Sequence, residues 1–358
     1  RQKQTFNLTG LRRLICIGGL SFLLTLSSPF IGYSLPYFPS LQVLAQSNDA
    51  KKAQADMLFN QGEEQYQKSQ FEAALQSWQQ ALDIYQEIKD RAGEGAALGN
   101  LGLAYLYLGD YPKAIEYQQQ ALDIYQEIKD RVGEGNALGN LGLAYLSLGD
   151  YPKAIEYLQQ TLKIAQEIKN RKGEGASLGN LGLAYYSMGD YPKAIEYHEQ
   201  SLKIAQEIKN RKGEGTVLGN LGLAYYSMGD YPKAIEYHEQ SLKIAQEIKD
   251  RVGEGNALGS LGLAYLYLGD YPKAIDYHKR YLKIAQEIKD RKGEGQSLGN
   301  LGITYLRMRD YPKAIEYLER CLKIVQEIKD RKGEGQSLGN LGLAYLYLGD
   351  YPKAIDYH

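Results

Sequence analysis

Cysteine is nearly missing from this chain. There are two among 358 residues, and Cys16 sits in an apolar leader, which leaves Cys321 without a partner. That arithmetic excludes an internal disulfide or a cysteine-based metal site, and Cys321 reads as a small residue packed in a helix. Tryptophan is as scarce: Trp78 is the only one, and it reads as core. An excess of charge is lacking too, with 42 Lys and Arg against 43 Asp and Glu. Nucleic-acid binding needs a dense basic surface that releases phosphate counterions. No such stripe is present, so no nucleic-acid partner is expected. No Ser, His and Asp set, no Cys and His pair and no carboxylate pair stands outside a repeating pattern. Catalysis needs a unique constellation, whereas here every polar group is copied. Neither a catalytic residue nor a cofactor is expected.

What is present is repetition. Leu-Gly-Leu-Ala-Tyr, followed by Gly-Asp-Tyr-Pro-Lys-Ala-Ile-Glu-Tyr, returns with small changes every 40 residues from Leu101 onward. A fixed period of that size marks stacked units that bury their apolar faces against neighbours and leave one long surface free. Each unit reads as a helical hairpin. Its first helix runs from about Glu94 to Leu108, with Leu98, Leu101, Gly102 and Tyr105 on one face. Gly109 and Asp110 break the chain, Asp110 caps the next helix and Pro112 occupies its first turn, where the missing N–H costs nothing. In the second helix Ala114, Gln118, Ala121, Leu122, Tyr125 and Ile128 mark one side. Lys129-Asp130-Arg131 and Gly133 read as its end, with the glycine expected to supply the left-handed residue. Gly102, and its copies to Gly342, imply close approach of helix backbones.

Residues 1–45 differ from all that follows. Basic residues end at Arg12-Arg13, an apolar run extends from Leu14 to Leu26, and Val43-Leu44-Ala45 precedes a cleavage point before Gln46. That order is a secretory signal peptide. Stretched to Ile31, the run reaches the length of an N-terminal membrane anchor, which is the alternative and the only route to a membrane. Export, to a periplasm or the medium, is the expected localisation. Residues 46–91 form a divergent first repeat, with Phe59, Gly62 and Tyr66 at the phases of the later Leu, Gly and Tyr. Residues 92–358 hold seven 40-residue repeats, the last incomplete. The chain begins at Arg1 and stops inside a second helix at His358, which reads as a fragment of a longer product.

The pattern resembles the tetratricopeptide repeat. Leu101, Gly102, Tyr105, Gly109, Tyr111 and Ala114 fall on that family's consensus positions, and the agreement returns as far as Leu341, Gly342, Tyr345, Tyr351 and Ala354. The 40-residue period is similar to that of kinesin light chains and spindle-orientation adaptors, and closer still to long bacterial repeat proteins, many of them cyanobacterial. What the resemblance implies is an all-α fold. It is a right-handed α-solenoid of stacked antiparallel helix hairpins, a tetratricopeptide superhelix, whose first helices line an inner groove that takes extended peptides or partner helices. A non-catalytic scaffold with a protein or peptide partner is the expected function. The alternative is the sensor region of a larger protein, since bacterial arrays of this look are joined to caspase-like proteases of the CHAT type or other effectors. A third reading is a structural spacer or self-assembling array.

Within the repeats, Asn100, Asn140, Asn180, Asn220, Asn300 and Asn340 share one position, and Ser260 alone departs. An amide offers donors and an acceptor, so a row of them can hold an extended backbone without reading its sequence. In kinesin light chains an Asn at the matching position does work of this kind. The competing reading is a hydrogen-bond ladder between repeats that fixes stacking. Where the adaptors carry a further Asn, this chain has Leu103, Leu143, Leu183, Leu223, Leu263, Ile303 and Leu343, a departure that makes the groove more apolar. Tyr107, Tyr267, Arg307 and Tyr347 vary at one phase expected to face the groove, and are residue types that anchor interfaces; drift at exposed sites is the alternative. His198, His238, His278 and His358 also share a phase, replaced elsewhere by Gln118, Leu158 and Leu318. Packed helices stand about 8–10 Å apart, too far for successive histidines to ligate one ion with bonds of about 2 Å. No metal site is expected there, and the phase reads as semi-buried packing. The Glu, Lys, Asp and Arg of the E-I-K-D-R runs read as a solvated face with local ion pairs of little worth.

Overall fold

In the computed structural model, which describes residues 41–357 and side chains from Ser47 on, the only regular elements among the described residues are sixteen α-helices. They are α1 Leu41–Gln67, α2 Phe71–Ile88, α3 Arg91–Leu108, α4 Tyr111–Glu127, α5 Arg131–Leu148, α6 Tyr151–Glu167, α7 Arg171–Met188 and α8 Tyr191–Glu207. There follow α9 Arg211–Ser227, α10 Tyr231–Glu247, α11 Arg251–Leu268, α12 Tyr271–Glu287, α13 Arg291–Arg307, α14 Tyr311–Glu327, α15 Arg331–Leu348 and α16 Tyr351–Asp356. Odd helices are the first (A) and even helices the second (B) member of each hairpin. Each packs on its neighbours in the chain, and successive A helices touch one another lightly. The fold is the all-α solenoid that the periodicity predicts. Of the leader read over residues 1–45, residues 1–40 lie outside the described residues and 41–45 open α1, and none of the described helices is long and apolar enough to cross a membrane.

The turns within hairpins follow the sequence. Gly109, with φ of 80°, ends α3; Asp110 accepts from the Lys113 N–H at 3.3 Å, and Pro112 sits in the first turn of α4. The turns between hairpins do not. The left-handed residue after α4 is Lys129, with φ of 60°, and Asp130 caps α5 by accepting from the Gly133 N–H at 3.0 Å. Gly133 therefore lies inside α5, whose start is Arg131 rather than three residues later. Its missing Cβ has another cause: the Tyr125 ring fills that space.

The core is a strip between A and B helices that repeats its own residues. Leu101, Leu141, Leu181, Leu221, Leu261, Leu301 and Leu341 are all sealed, as are Ala114 and its copies through Ala314. Each such leucine is worth about 1.5–3 kcal/mol of transfer free energy. The glycine at the next position does not bring two backbones together; it seats a side chain. A Cβ on Gly142 would stand 2.7 Å from Leu158 Cγ, and one on Gly102 would stand 2.7 Å from Gln118 Nε2, whose amide donates to the Gly99 carbonyl at 2.7 Å. Nearer the turn, Tyr105 and Tyr117 stack at 5.4 Å with Lys113 over the Tyr105 ring, and the pair recurs in every later hairpin through Tyr345 and Tyr357. In the divergent first hairpin Trp78 is sealed, and its indole N–H donates to the Phe59 carbonyl at 3.1 Å.

Ion pairs at the inter-hairpin loops are not merely local. Arg131 bridges Glu134 in its own helix and Glu167 at the end of α6, and Gln126 of the preceding hairpin donates to the same Glu134. Arg91, Arg171, Arg211, Arg251 and Arg291 repeat the clasp. It ties the start of each A helix to the end of the following B helix and, through the glutamine, to the hairpin before.

Candidate functional site

The A helices present one stripe of residues to a groove of about 860 Å³ that runs from α9 to α15. On α9 the stripe is Lys212, Thr216, Asn220 and Leu223; on α13 it is Lys292, Gln296, Asn300 and Ile303. These positions are spaced by four, four and three residues, so they lie on one helix face. α11 contributes Asn256, Ser260 and Leu263, and α15 contributes Lys332, Gln336 and Asn340. Across its width the groove therefore passes from ammonium through hydroxyl or amide to a row of asparagines and then to aliphatic side chains.

Glycine makes the floor. Gly215, Gly219, Gly259, Gly295 and Gly299 leave gaps through which B-helix residues His238, Ser241, Tyr281 and Cys321 line the groove from behind. Ser241 and Cys321 close two of those gaps with hydrogen bonds to the carbonyls of Gly215 and Gly295 at 2.8 and 3.2 Å, and Ser201 makes the same 2.8 Å bond to Gly175 one hairpin earlier. Burial pushes the Cys321 thiol above its ordinary pKa, so it is a packing thiol rather than a nucleophile.

Asn100, Asn140, Asn180, Asn220, Asn300 and Asn340 are all half-buried. Among the described residues none of their side-chain amides forms a hydrogen bond within the chain, whereas the caps, clasps and serine contacts around them are made. Three ammonium groups on the groove edge, Lys212, Lys292 and Lys332, likewise enter no ion pair among the described residues, although lysines at the hairpin turns do. The two carboxylates in the lining, Asp250 and Asp330, are engaged in capping α11 and α15 through the Gly253 and Gly333 N–H groups, each at 3.0 Å.

Tyr267, Arg307 and Tyr347 stand outside the groove lining, at the last turn of their A helices. Tyr107 is 64% exposed and packs on Tyr66 and Phe71 of the preceding hairpin. Tyr267 packs on Tyr226 and Tyr231, and Tyr347 stacks on Tyr311. Arg307 is exposed. The three tyrosines of this phase staple neighbouring hairpins along one edge; the serine at 227 does the same work through a 3.0 Å contact to the Tyr186 hydroxyl. His198, His238 and His278 are fully rather than partly buried, because the glycine opposite each leaves room for the whole ring.

Sequence reasoning missed the lysine edge and the residues between it and the asparagines. The signal was there at the same 40-residue phase: Ala92, Val132, Lys172, Lys212, Val252, Lys292 and Lys332 change character along the chain.

The geometry is that of an α-solenoid whose A helices enclose a groove, the class of helical-repeat proteins. The profile of the tetratricopeptide repeat family matches residues 42–127, 133–207, 213–287 and 294–358, and the chain belongs to that family. A comparison with curated protein sequences gave no match. Among solved structures the chain is similar to a signal transduction ATPase with a tetratricopeptide repeat sensor from Pyrococcus horikoshii, at 20% identity and a TM-score of 0.66, over 84% of this chain and 46% of that one. It thus spans less than half the length of that protein. It is also similar to aspartyl phosphate phosphatase F from Bacillus subtilis, at 20% identity and a TM-score of 0.62, over 80% of this chain and 74% of that one. The quorum sensor NprR from B. thuringiensis is similar at 14% identity and a TM-score of 0.62, over 88% and 97%. At these identities the likeness is one of fold.

Proposed function

We propose that the chain is a non-catalytic scaffold that holds an extended segment of a partner protein along the A-helix groove. The observation that carries this reading is the row of half-buried asparagine amides with no hydrogen-bond partner among the described residues. An unsatisfied amide in a partly desolvated groove gains from a backbone laid across it. An extended segment points successive side chains to opposite sides. One set would then face Lys212, Lys292 and Lys332, and the other Leu223, Leu263 and Ile303. The fitting partner is a segment in which acidic and apolar residues alternate. A protein of similar fold, a Rap protein, is complexed with competence and sporulation factor, which supports occupancy of such a solenoid by a partner.

The test is a peptide display library panned against the purified chain. Asn220→Ala with Asn300→Ala should weaken the selected peptides about tenfold or more, at about 1 kcal/mol for each lost hydrogen bond, with helicity and melting unchanged. Binding that survives the double substitution would remove the asparagine row from the site.

A second reading makes the solenoid the sensing part of a larger protein, and the repeat sensor of the P. horikoshii ATPase favours it. Reading the coding sequence past His358 separates the two: further repeats support the scaffold, an effector domain the sensor. Export is also part of the proposal, and N-terminal sequencing of the mature product at Gln46 checks it.

A further inference from the structure

Three consecutive hairpins, α7–α8, α9–α10 and α11–α12, carry a histidine where their neighbours carry Gln118, Leu158 and Leu318. His198, His238 and His278 are 0%, 1% and 0% exposed. Both ring nitrogens of all three lack a hydrogen-bond partner among the described residues. Each ring packs against the glycine of its A helix: a Cβ on Gly182 or Gly222 would stand 2.5 Å from it, and one on Gly262 would stand 2.3 Å from His278. The other occupants of this phase carry no group that takes a proton: the leucines are apolar, and Gln118 donates its amide to the Gly99 carbonyl while its Oε1 stays unpartnered among the described residues. An imidazole here is tolerated only when neutral, because a buried cation without a partner costs far more than an unpaired neutral group.

We propose that hairpins α7 to α12 form an acid-releasable section of the solenoid, in which protonation of His198, His238 and His278 parts their A and B helices and opens the groove above them. Among the described residues nothing charged faces the rings to offset the proton. On the A helices packed against them, Glu174, Glu214, Glu254 and Glu294 are each held by the arginine three residues before. Lys193, Lys233 and Lys273 on their own helices lie over Tyr185, Tyr225 and Tyr265 and bridge the capping Asp190, Asp230 and Asp270. Glu196, Glu199, Glu236, Glu239 and Asp276, with Lys203, Lys243, Lys279 and Arg280, are exposed. Arg171, Arg211, Arg251 and Arg291 serve the clasps, and Lys172, Lys212, Lys292 and Arg307 are cations that would add no favourable partner. Burial alone lowers each imidazole from its ordinary value of 6.5 to about 4. A depressed folded-state pKa means the stability is whole above pH 6.5, is lost progressively as pH falls toward 4, and changes no further below that.

His238 is part of the groove floor, so release of a partner in acid rests on the function proposed above, while the parting of the helices rests on packing alone. Hydrogen exchange of the full chain, with no partner present, reads the latter. The wild type and His198→Leu/His238→Leu/His278→Leu are compared at pH 7.5 and pH 5.0; leucine is what the chain itself uses at 158 and 318. At pH 5.0 the wild type should open across α7–α12 on the order of ten- to thirtyfold more per hairpin than the variant, with α3–α6 and α13–α15 alike in both. At pH 7.5 the two should agree within a few-fold. Equal exchange at pH 5.0, or an acid effect spread over all hairpins and kept by the variant, overturns the proposal. Should the leucine variant misfold, a triple glutamine variant, which copies what the chain uses at 118, serves in its place with the same two outcomes.

Discussion

Glycine shows how far a single residue type can differ in role within one helix. Gly139 and Gly142 both lie in α5. A Cβ on Gly139 would meet Thr161 at 3.5 Å, an ordinary contact, while one on Gly142 would strike Leu158 at 2.7 Å and approach the Ala154 carbonyl at 3.4 Å. Gly139→Ala should therefore stabilise by about 0.5–1 kcal/mol through helix propensity. Gly142→Ala should destabilise by about 1–3 kcal/mol through overpacking. Urea titration of the two variants measures the opposite signs; equal effects would mean that packing does not separate them. At this scale the sequence was legible where a residue's type reports its burial, as with Leu101 or Trp78. It was not legible where a partner on another helix decides. Nothing in the neighbourhood of Gly133 announces the Tyr125 ring, and nothing near Tyr267 announces Tyr226 and Tyr231.

Helix ends were half readable for a definite reason. Gly109 and its copies carry the left-handed turn openly, whereas Lys129, Lys169, Lys209, Lys249, Lys289 and Lys329 carry it against their own preference, with φ between 55° and 60°. The backbone is held there because the next N–H still finds a carbonyl, as when Asp250 donates to Ala245 at 2.8 Å. A lysine so placed bears a left-handed penalty that glycine escapes, set against glycine's greater chain entropy. Lys249→Gly should raise stability by about 0.5 kcal/mol, and the same change at Lys209 should add to it, since the loops are separate. A loss of stability in the pair, seen by thermal melting, would mean the lysine side chain is needed at the loop. The groove was legible at this level as a stripe of asparagines, but its cationic edge was not, because lysine at the second position of a helix looks like ordinary surface until the neighbouring helices are set beside it.

For the molecule as a whole, stability is a sum of hairpins and the interfaces between them. Residues 171–210 and 211–250 differ at three positions, Ala176/Thr216, Ser177/Val217 and Asn210/Asp250, and their turns, stacks and clasps coincide. Removing 211–250 joins two ends that already match, so the shortened chain should fold with unchanged helicity per residue and a modestly lower melting point. A fall in ellipticity per residue, measured by circular dichroism, would show that the repeats are not interchangeable. Fold class and period were fully legible at this scale, since both follow from self-similarity alone. That same sameness has a cost during synthesis. A B helix emerging from the ribosome finds the A helix of the wrong hairpin as good a mate as its own, and an error of pairing skips a whole unit without exposing a mismatched surface. Mispaired chains would therefore differ from the native one by multiples of 40 residues, looped out or traded between two molecules. Only the side chains that break the repeat, such as Trp78 in the first hairpin, Gln118, Ser260, Tyr281 and Cys321, give the chain an unambiguous sense of place.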